Sequence, residues 1–284
     1  MLARKPQRSN PAFCTLVGLT LAGFTFASLT LAGLTLAGLT LTGIAQADQL
    51  TANDIAHRMV RGDALSWDGA KAHVRMVLSD KQGAHQERTM DVIGRRDKGL
   101  LRTLMRFSAP ANIAGTAFLM LERNGKAAEQ YVYLSGLKRT RRIVGREQEN
   151  SFMESDFSYA DMRGIPERFS QHKRLPDDDI GGIETYVLQT DIHPQSKMPY
   201  QKIVHWVRKT DMVALRTRFY DRSGQLLKTL YARKIKDLEG KPIVVEARME
   251  NQQSGHVTEL FVENISRKDN IPLVLFTPSS LAHY

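Results

Sequence analysis

The chain has 284 residues, with 40 Lys and Arg against 30 Asp and Glu, a formal charge of +10. Arg4, Lys5 and Arg8 are the charged groups of residues 1–47, so the 237 residues from Asp48 onward keep 37 basic and 30 acidic groups, a net charge of +7. That remainder mixes charge with frequent apolar residues, which excludes global disorder, and it is long enough for one sheet-based domain with a well-buried core. The single cysteine, Cys14, precedes it, so residues 48–284 hold no disulfide, no thiol nucleophile and no cysteine-based metal site.

Residues 1–47 read as a secretory signal. Arg4, Lys5 and Arg8 form a basic start, no charge occurs between Asn10 and Gln46, and Ala45-Gln46-Ala47 supplies the small residues that signal peptidase requires. The apolar part repeats a Leu-Thr-Leu-Ala-Gly-like unit from Leu19 to Gly43. It exceeds the usual apolar stretch of about 7–15 residues and the roughly 20 needed to cross a bilayer, so an uncleaved anchor is the alternative. Positive-inside bias keeps the N-terminus cytoplasmic either way. The expectation is cleavage after Ala47 and one domain, residues 48–284, in the periplasm. Cys14 sits at the wrong end of the apolar run for lipidation.

A helix opens this domain. Thr51 and Asp54 have the spacing of a capping box, Ile55, Met59 and Val60 share a face, and Gly62 is the expected stop. Strands follow. Val74, Met76 and Leu78 alternate with polar residues in 72–79, Asp80 to Gly83 forms a turn, and 85–94 completes a hairpin. The pattern continues in 99–107, 116–123 and 129–134. It resumes in 184–191, 200–209, 212–221, 225–236, 242–251 and 256–265, with turns at Asp221–Gly224 and Glu239–Pro242. Eleven strands joined by short turns predict an antiparallel meander. Asp177-Asp178-Asp179 before Gly181-Gly182 reads as an exposed loop.

No nucleophile elbow, phosphate-binding loop, dinucleotide fingerprint or His-Glu-x-x-His helix occurs. The eight histidines are scattered, none three or four apart, so neither a metal site nor a cofactor is expected. His73 and His205 fall in strands, where a satisfied sheet histidine is the plain reading. Asp156 or Asp161 could meet a histidine in space, but spacing does not say so. Two features rise above this background. The strands are rich in Met and Phe, groups that adapt to irregular apolar surfaces, although composition alone favours an ordinary sheet core. Lys138, Arg139, Arg141, Arg142 and Arg146 form a dense basic run, read either as a solvated face or as a docking patch for anionic head groups or an acidic partner. Export removes nucleic acid from the candidate partners.

The stretches Arg106–Pro110, Gly115–Leu119, Tyr131–Leu134, Leu137–Ile143 and above all Ser151–Asp161 resemble the LolA-like family of outer-membrane lipoprotein-sorting proteins, in a branch linked to RND-type exporters. Tyr200–Val204, Phe219–Asp221 and Met249–Asn251 extend the resemblance over most of residues 48–284. Two positions depart from the pattern: Ser135-Gly136 replaces Pro-Ala, which should loosen a turn, and Glu154 replaces Gly.

The resemblance implies a mainly β protein, an incomplete antiparallel half-barrel whose apolar concave face is closed by a helical plug or lid. It implies lipid or lipoprotein acyl chains as ligand, transient contact with a membrane surface, an RND-type inner-membrane exporter as candidate partner, and no catalytic residue. On this basis Met76, Met90, Phe107, Phe118, Met120, Phe219, Tyr231 and Phe261 are assigned to the cavity wall. Phe152, Phe157 and Tyr159 are assigned to the lid, and Lys138, Arg139, Arg141 and Arg142 to docking. An error of one register would invert a strand's contribution. The alternatives are an exporter subunit that carries no ligand and a lipid hydrolase with a spatially assembled Ser or Asp site.

Overall fold

The computed structural model describes residues 50–61, 68–268 and 270–283. The leader, its cleavage point and Gly62 lie outside them. Helix α1 (Ala52–Arg61) starts where the spacing predicts. Thr51 Oγ1 accepts from the Asp54 N–H at 3.1 Å and Asp54 Oδ2 accepts from the Thr51 N–H at 3.0 Å, the reciprocal pairing of a capping box. Its buried Ile55 and Ala56 pack on Tyr186, Leu188 and Val207.

The strands are β1 (Ala70–Ser79), β2 (His85–Asp97), β3 (Leu100–Ala109), β4 (Ala117–Arg123), β5 (Lys126–Leu134), β6 (Arg139–Ile143), β7 (Ser170–Asp179), β8 (Glu184–Ile192), β9 (Tyr200–Arg208), β10 (Ala214–Asp221), β11 (Leu226–Leu238), β12 (Lys241–Asn251) and β13 (Val257–Arg267). They form one 13-stranded sheet in the order β6-β5-β4-β3-β2-β1-β13-β12-β11-β10-β9-β8-β7. Every ladder between them is antiparallel. The chain enters at the middle, walks out to β6, crosses to the far edge at β7, and walks back until β13 pairs with β1. Asp80 and Asp221 build two of the tight turns in the same way. Each carboxylate accepts two backbone N–H groups of its own turn, and Gly83 and Gly224 supply the positive φ that follows.

Two of the thirteen strands, β6 and β7, are absent from the eleven predicted. Both are sheet edges. The Asp177–Asp179 stretch is therefore strand and not loop, and its carboxylates are engaged. Asp177 pairs with Arg174 and Lys209, Asp178 accepts from the Trp206 indole N–H at 2.7 Å, and Asp179 accepts from the Gly182 N–H at 2.6 Å.

Because β6 and β7 do not pair, the sheet stays open, yet it curves strongly. Met120 on β4 and Thr190 on β8 stand nine strand positions apart. That separation would be roughly 43 Å in a flat sheet, but the two residues border one cavity. Inward residues alternate along each strand, as in Ala72, Val74, Met76 and Leu78 of β1. Residues 144–169, with the one-turn helix α2 (Tyr159–Met162), link the two edges across the concave side. On the opposite face, two single-turn segments, Leu273–Phe276 and Pro278–Ala282, cover β3 to β5 by burying Phe276 and Leu281 on Leu104, Ala117 and Leu119.

Candidate functional site

The concave face has two unlike halves. Beneath the middle of β1 to β5 it is packed with side chains, and a second hollow of about 680 Å³ lies at the margin of that half, bordered by Arg88, Leu134, Met153 and Tyr159. Met76, Met90, Phe107 and Phe118 are buried together with Phe152 and Tyr159 of the crossing segment. The Phe152 ring lies 5.9 Å from Phe107, 5.2 Å from Phe118 and 5.6 Å from Tyr159, with tilted or edge-on geometries that suit aromatic quadrupoles. These four assigned wall residues thus belong to a packed core. Phe152 and Tyr159 do cross the concave face, as assigned, but they are rooted in that core, and only Phe157 of the trio is partly exposed. Gln130, fully buried, donates from Nε2 to the Tyr159 carbonyl at 2.7 Å and fixes the backbone of the same segment.

Beneath β7 to β12 lies a cavity of about 710 Å³. Its boundary includes α1 through Ala56, His57 and Met59, the crossing segment through residues 160–165, and Met120 from the far side of the sheet. Of the assigned wall, Met120 and Phe219 line it directly. Tyr231 touches it from between Leu230 and Ala232, although it pairs in register with Arg216 and Arg248 on the outer set. Phe261 is a correction. It pairs with Arg75, whose guanidinium lies 4.4 Å from its ring centroid on the outer face, so its strand parity was read one residue off. Sequence reasoning missed the contribution of α1, and also Met198, Met212 and Val213, because the chain brings them in from loops and a helix without strand periodicity.

A buried polar cluster holds the crossing segment beside the cavity. Lys228 Nζ donates to Asp161 Oδ2 at 2.6 Å and to the Asp156 carbonyl at 2.8 Å; the paired side chains are 4% and 8% exposed. Tyr200 Oη donates to Asp161 Oδ1 at 2.5 Å, and burial followed by that carboxylate pushes the Tyr200 pKa well up. Asp156 meets His256 Nδ1 at 2.7 Å and accepts from Thr258 Oγ1 at 2.7 Å. The sequence-level question of a histidine near Asp156 or Asp161 is thereby answered with His256. Ion pairs this deep contribute little net stability but are costly to break singly, so this part of the segment acts as a clamp.

The inward sets of β7 to β10 also carry polar groups. His172 Nδ1 meets Thr190 Oγ1 at 2.9 Å, and His205 Nδ1 meets Thr217 Oγ1 at 3.1 Å. All four residues border the cavity. His205 is enclosed by protein yet keeps surface, because that surface faces the void. Burial, then the neighbouring His172, lowers its pKa to about 4. Burial, then His57, lowers that of His172. By contrast, His73 points outward to Asp91 at 2.9 Å, the satisfied sheet histidine that was predicted. Among the described residues no three His, Asp or Glu side chains converge as a metal-binding set.

The basic run falls on edge strand β6 and the turn before it. Arg141 pairs with Glu147 at 2.7 Å and Arg142 with Glu129 at 3.2 Å. Lys138, Arg139 and Arg146 are exposed and have no carboxylate partner among the described residues. Leu137 and Val144, 71% and 52% exposed, flank them. The turn containing Ser135, expected to loosen, is closed by a 3.1 Å contact between the Ser135 and Thr116 hydroxyls. Glu154 has a φ of 60°, in the left-handed region that glycine occupies without cost. Its carboxylate accepts from buried Arg88 at 2.6 Å, which offsets part of the strain.

Comparisons with known proteins place this architecture. A family model described as "Uncharacterized protein" matches residues 99–283. Among solved structures the chain is similar to a domain described as an outer membrane lipoprotein-sorting protein from Vibrio parahaemolyticus. The identity is 28%, the match covers 82% of this chain and 98% of that one, and the TM-score is 0.75. It is similar to a DUF1329 family protein from Desulfovibrio piger at 25% identity, over 81% of this chain and 97% of that one, with a TM-score of 0.75. A LolA superfamily protein from Nitrosomonas europaea shares the fold at 20% identity, over 80% of this chain and 98% of that one, with a TM-score of 0.63. No curated protein matches the chain significantly.

Proposed function

Because the chain belongs to the LolA-like family of outer-membrane lipoprotein-sorting proteins, we propose that it is a periplasmic carrier that takes acyl chains of a lipid or lipoprotein into the cavity beneath β7 to β12 and hands them on without covalent chemistry. The observation that carries this reading is the cavity itself: about 710 Å³ of space beside Met120, Phe219 and other apolar side chains, on the concave face of a sheet whose centre under β1 to β5 is packed. That volume is within the roughly 300–1,000 Å³ typical of small-molecule sites. Each buried methylene contributes about 0.8 kcal/mol, so contact area alone can hold a chain.

The entrance is best placed between α1 and residues 162–167. There His57 and Glu167 both border the cavity, and their 3.8 Å contact is largely exposed, so separating them costs little. The clamp around Lys228 and Asp161 stays shut. Release follows when an acceptor offers the chain a better environment. The free cations Lys138, Arg139 and Arg146 beside exposed Leu137 and Val144 support a docking role for the β6 edge, on an anionic membrane surface or on an RND-type exporter. If docking were the whole role, the protein would be an exporter subunit without cargo.

Native mass spectrometry of the protein recovered from a periplasmic fraction tests the proposal. A co-purified lipid mass that disappears in Met120→Trp is the expected result. A ligand-free mass together with a co-purified exporter would favour the subunit. Fatty acid released from added lipid, and lost in Ser158→Ala, would favour a hydrolase.

A further inference from the structure

Shielding an acyl chain does not need the two hydrogen-bonded pairs on the cavity wall. His172 and Thr190 stand opposite each other on β7 and β8, and His205 and Thr217 on β9 and β10. With Ser170 they draw a polar stripe across a wall that is otherwise largely apolar. Polar groups facing hydrocarbon cost free energy unless each is paired. The Nδ1 atoms are paired through the threonine hydroxyls, while among the described residues nothing reaches the Nε2 of either ring.

Charge decides which chemistry the stripe can accept. Both rings are held neutral at pH 7 by burial, so neither offers a cation to a carboxylate or phosphate. Among the described lining residues Asp161 is paired with Lys228 and Glu122 with Arg96, and Glu167 lies at the exposed rim, which leaves Arg163 as the one lining guanidinium. Arg163 already donates to the Ser196 carbonyl and to Gln148 Oε1. An anion entering this space finds no free cation to receive it, because the donors of Arg163 are already engaged. A neutral imidazole has one donor and one acceptor nitrogen, and a threonine hydroxyl can serve either. Each pair can therefore present a donor or an acceptor at Nε2, which matches the hydroxyl and ester carbonyl groups of an uncharged lipid.

We infer that the His172–Thr190 and His205–Thr217 pairs are the head-group site for an uncharged glycerolipid of the monoacylglycerol or diacylglycerol type. The assignment rests on the carrier reading, and the experiment separates the two. Uptake of the uncharged dye N-phenyl-1-naphthylamine by the purified protein reports the cavity. Displacement at pH 7.5 by monooleoylglycerol, oleate and dioleoylphosphatidylglycerol reports the head group.

Monooleoylglycerol displaces the dye at a concentration about tenfold below the two anions, the difference that one or two hydrogen bonds supply. The double variant His205→Leu with Thr217→Val removes both partners of one pair, so it leaves no orphaned group behind. It loses about tenfold in monooleoylglycerol affinity, with residual dye uptake showing that the cavity persists, whereas Thr217→Ser keeps the parent's value. Should either anion displace the dye as well as monooleoylglycerol, or the double variant keep the parent's preference, the head-group assignment is overturned and the carrier reading stands. Should neither dye nor any lipid bind, both fall. If the double variant fails to fold, the parent's ranking of the three lipids still decides.

Discussion

The inward faces of β1 to β5 and of β8 to β12 follow the same alternation of apolar and polar residues, but protein covers the first and a cavity lies under the second. Met76, Met90, Phe107 and Phe118 meet Phe152 and Tyr159, while Phe219, Leu230 and Ala247 face open volume. Alternation tells which face turns inward and not what fills it. The filler is residues 151–162, which reach the sheet only after the chain has left one edge for the other. One segment therefore closes half of the groove and leaves the rest free for a ligand.

Removing the filler should have the largest effect. Phe152→Ala should cost about 3–5 kcal/mol through lost transfer energy and a new cavity, read as a fall in the urea midpoint. A cost under about 1 kcal/mol would mean that the first half is not a packed core.

Next comes the clamp between the halves. Lys228→Met leaves Asp161 buried with Tyr200 and the Ser158 N–H as its remaining donors. The loss should be about 3 kcal/mol, the lower end for stranding a buried charge, in the same denaturant assay.

The cavity half has a pH signature of its own. The His205 pKa in the folded state, about 4, lies below the 6.5 of the free side chain. Between those values the unfolded chain binds more protons, so this contribution is whole above pH 6.5 and is lost as pH falls toward 4. It amounts to at most about 3 kcal/mol, and His205→Gln should flatten the stability profile in that window. Asp221, held near 2 by Ser223 and Gln253, acts only at lower pH and does not blur the reading.

The smallest stability effect belongs to the β6 edge. Changing Lys138 and Arg139 together to Gln should leave stability within about 0.5 kcal/mol while weakening association with anionic vesicles. Each charge near such a surface contributes about 1 kcal/mol. Unchanged vesicle binding would reduce these residues to guards of an open strand edge.

Where one side of a strand meets apolar core, its alternation was readable from the sequence, and eleven strands and the antiparallel meander followed from that. The two edge strands were not readable. In β6 Arg139, Arg141 and Arg142 are exposed, and in β7 both faces carry charged or polar groups, His172 and Arg174 on one and Gln171 and Lys173 on the other, so neither shows an apolar period. Resemblance supplied the curvature and the crossing segment, and Met120 and Phe219, both assigned to the wall, border the cavity. Phe261 was misplaced because Leu260 and Val262 beside it are also apolar and leave the parity of β13 ambiguous. The stripe of His172, Thr190, His205 and Thr217 was hidden. Scattered histidines become a group only when four strands align them.

Fluorescent fatty-acyl uptake by Met120→Trp, measured beside the parent protein, tests the carrier cavity itself. Met120 projects from the filled half into the cavity of the other, so a larger ring there should occupy ligand space with little disturbance of the core. The expected result is a folded protein with a parent-like denaturant midpoint that no longer takes up the probe. A folded Met120→Trp protein that binds the probe as the parent does would contradict it.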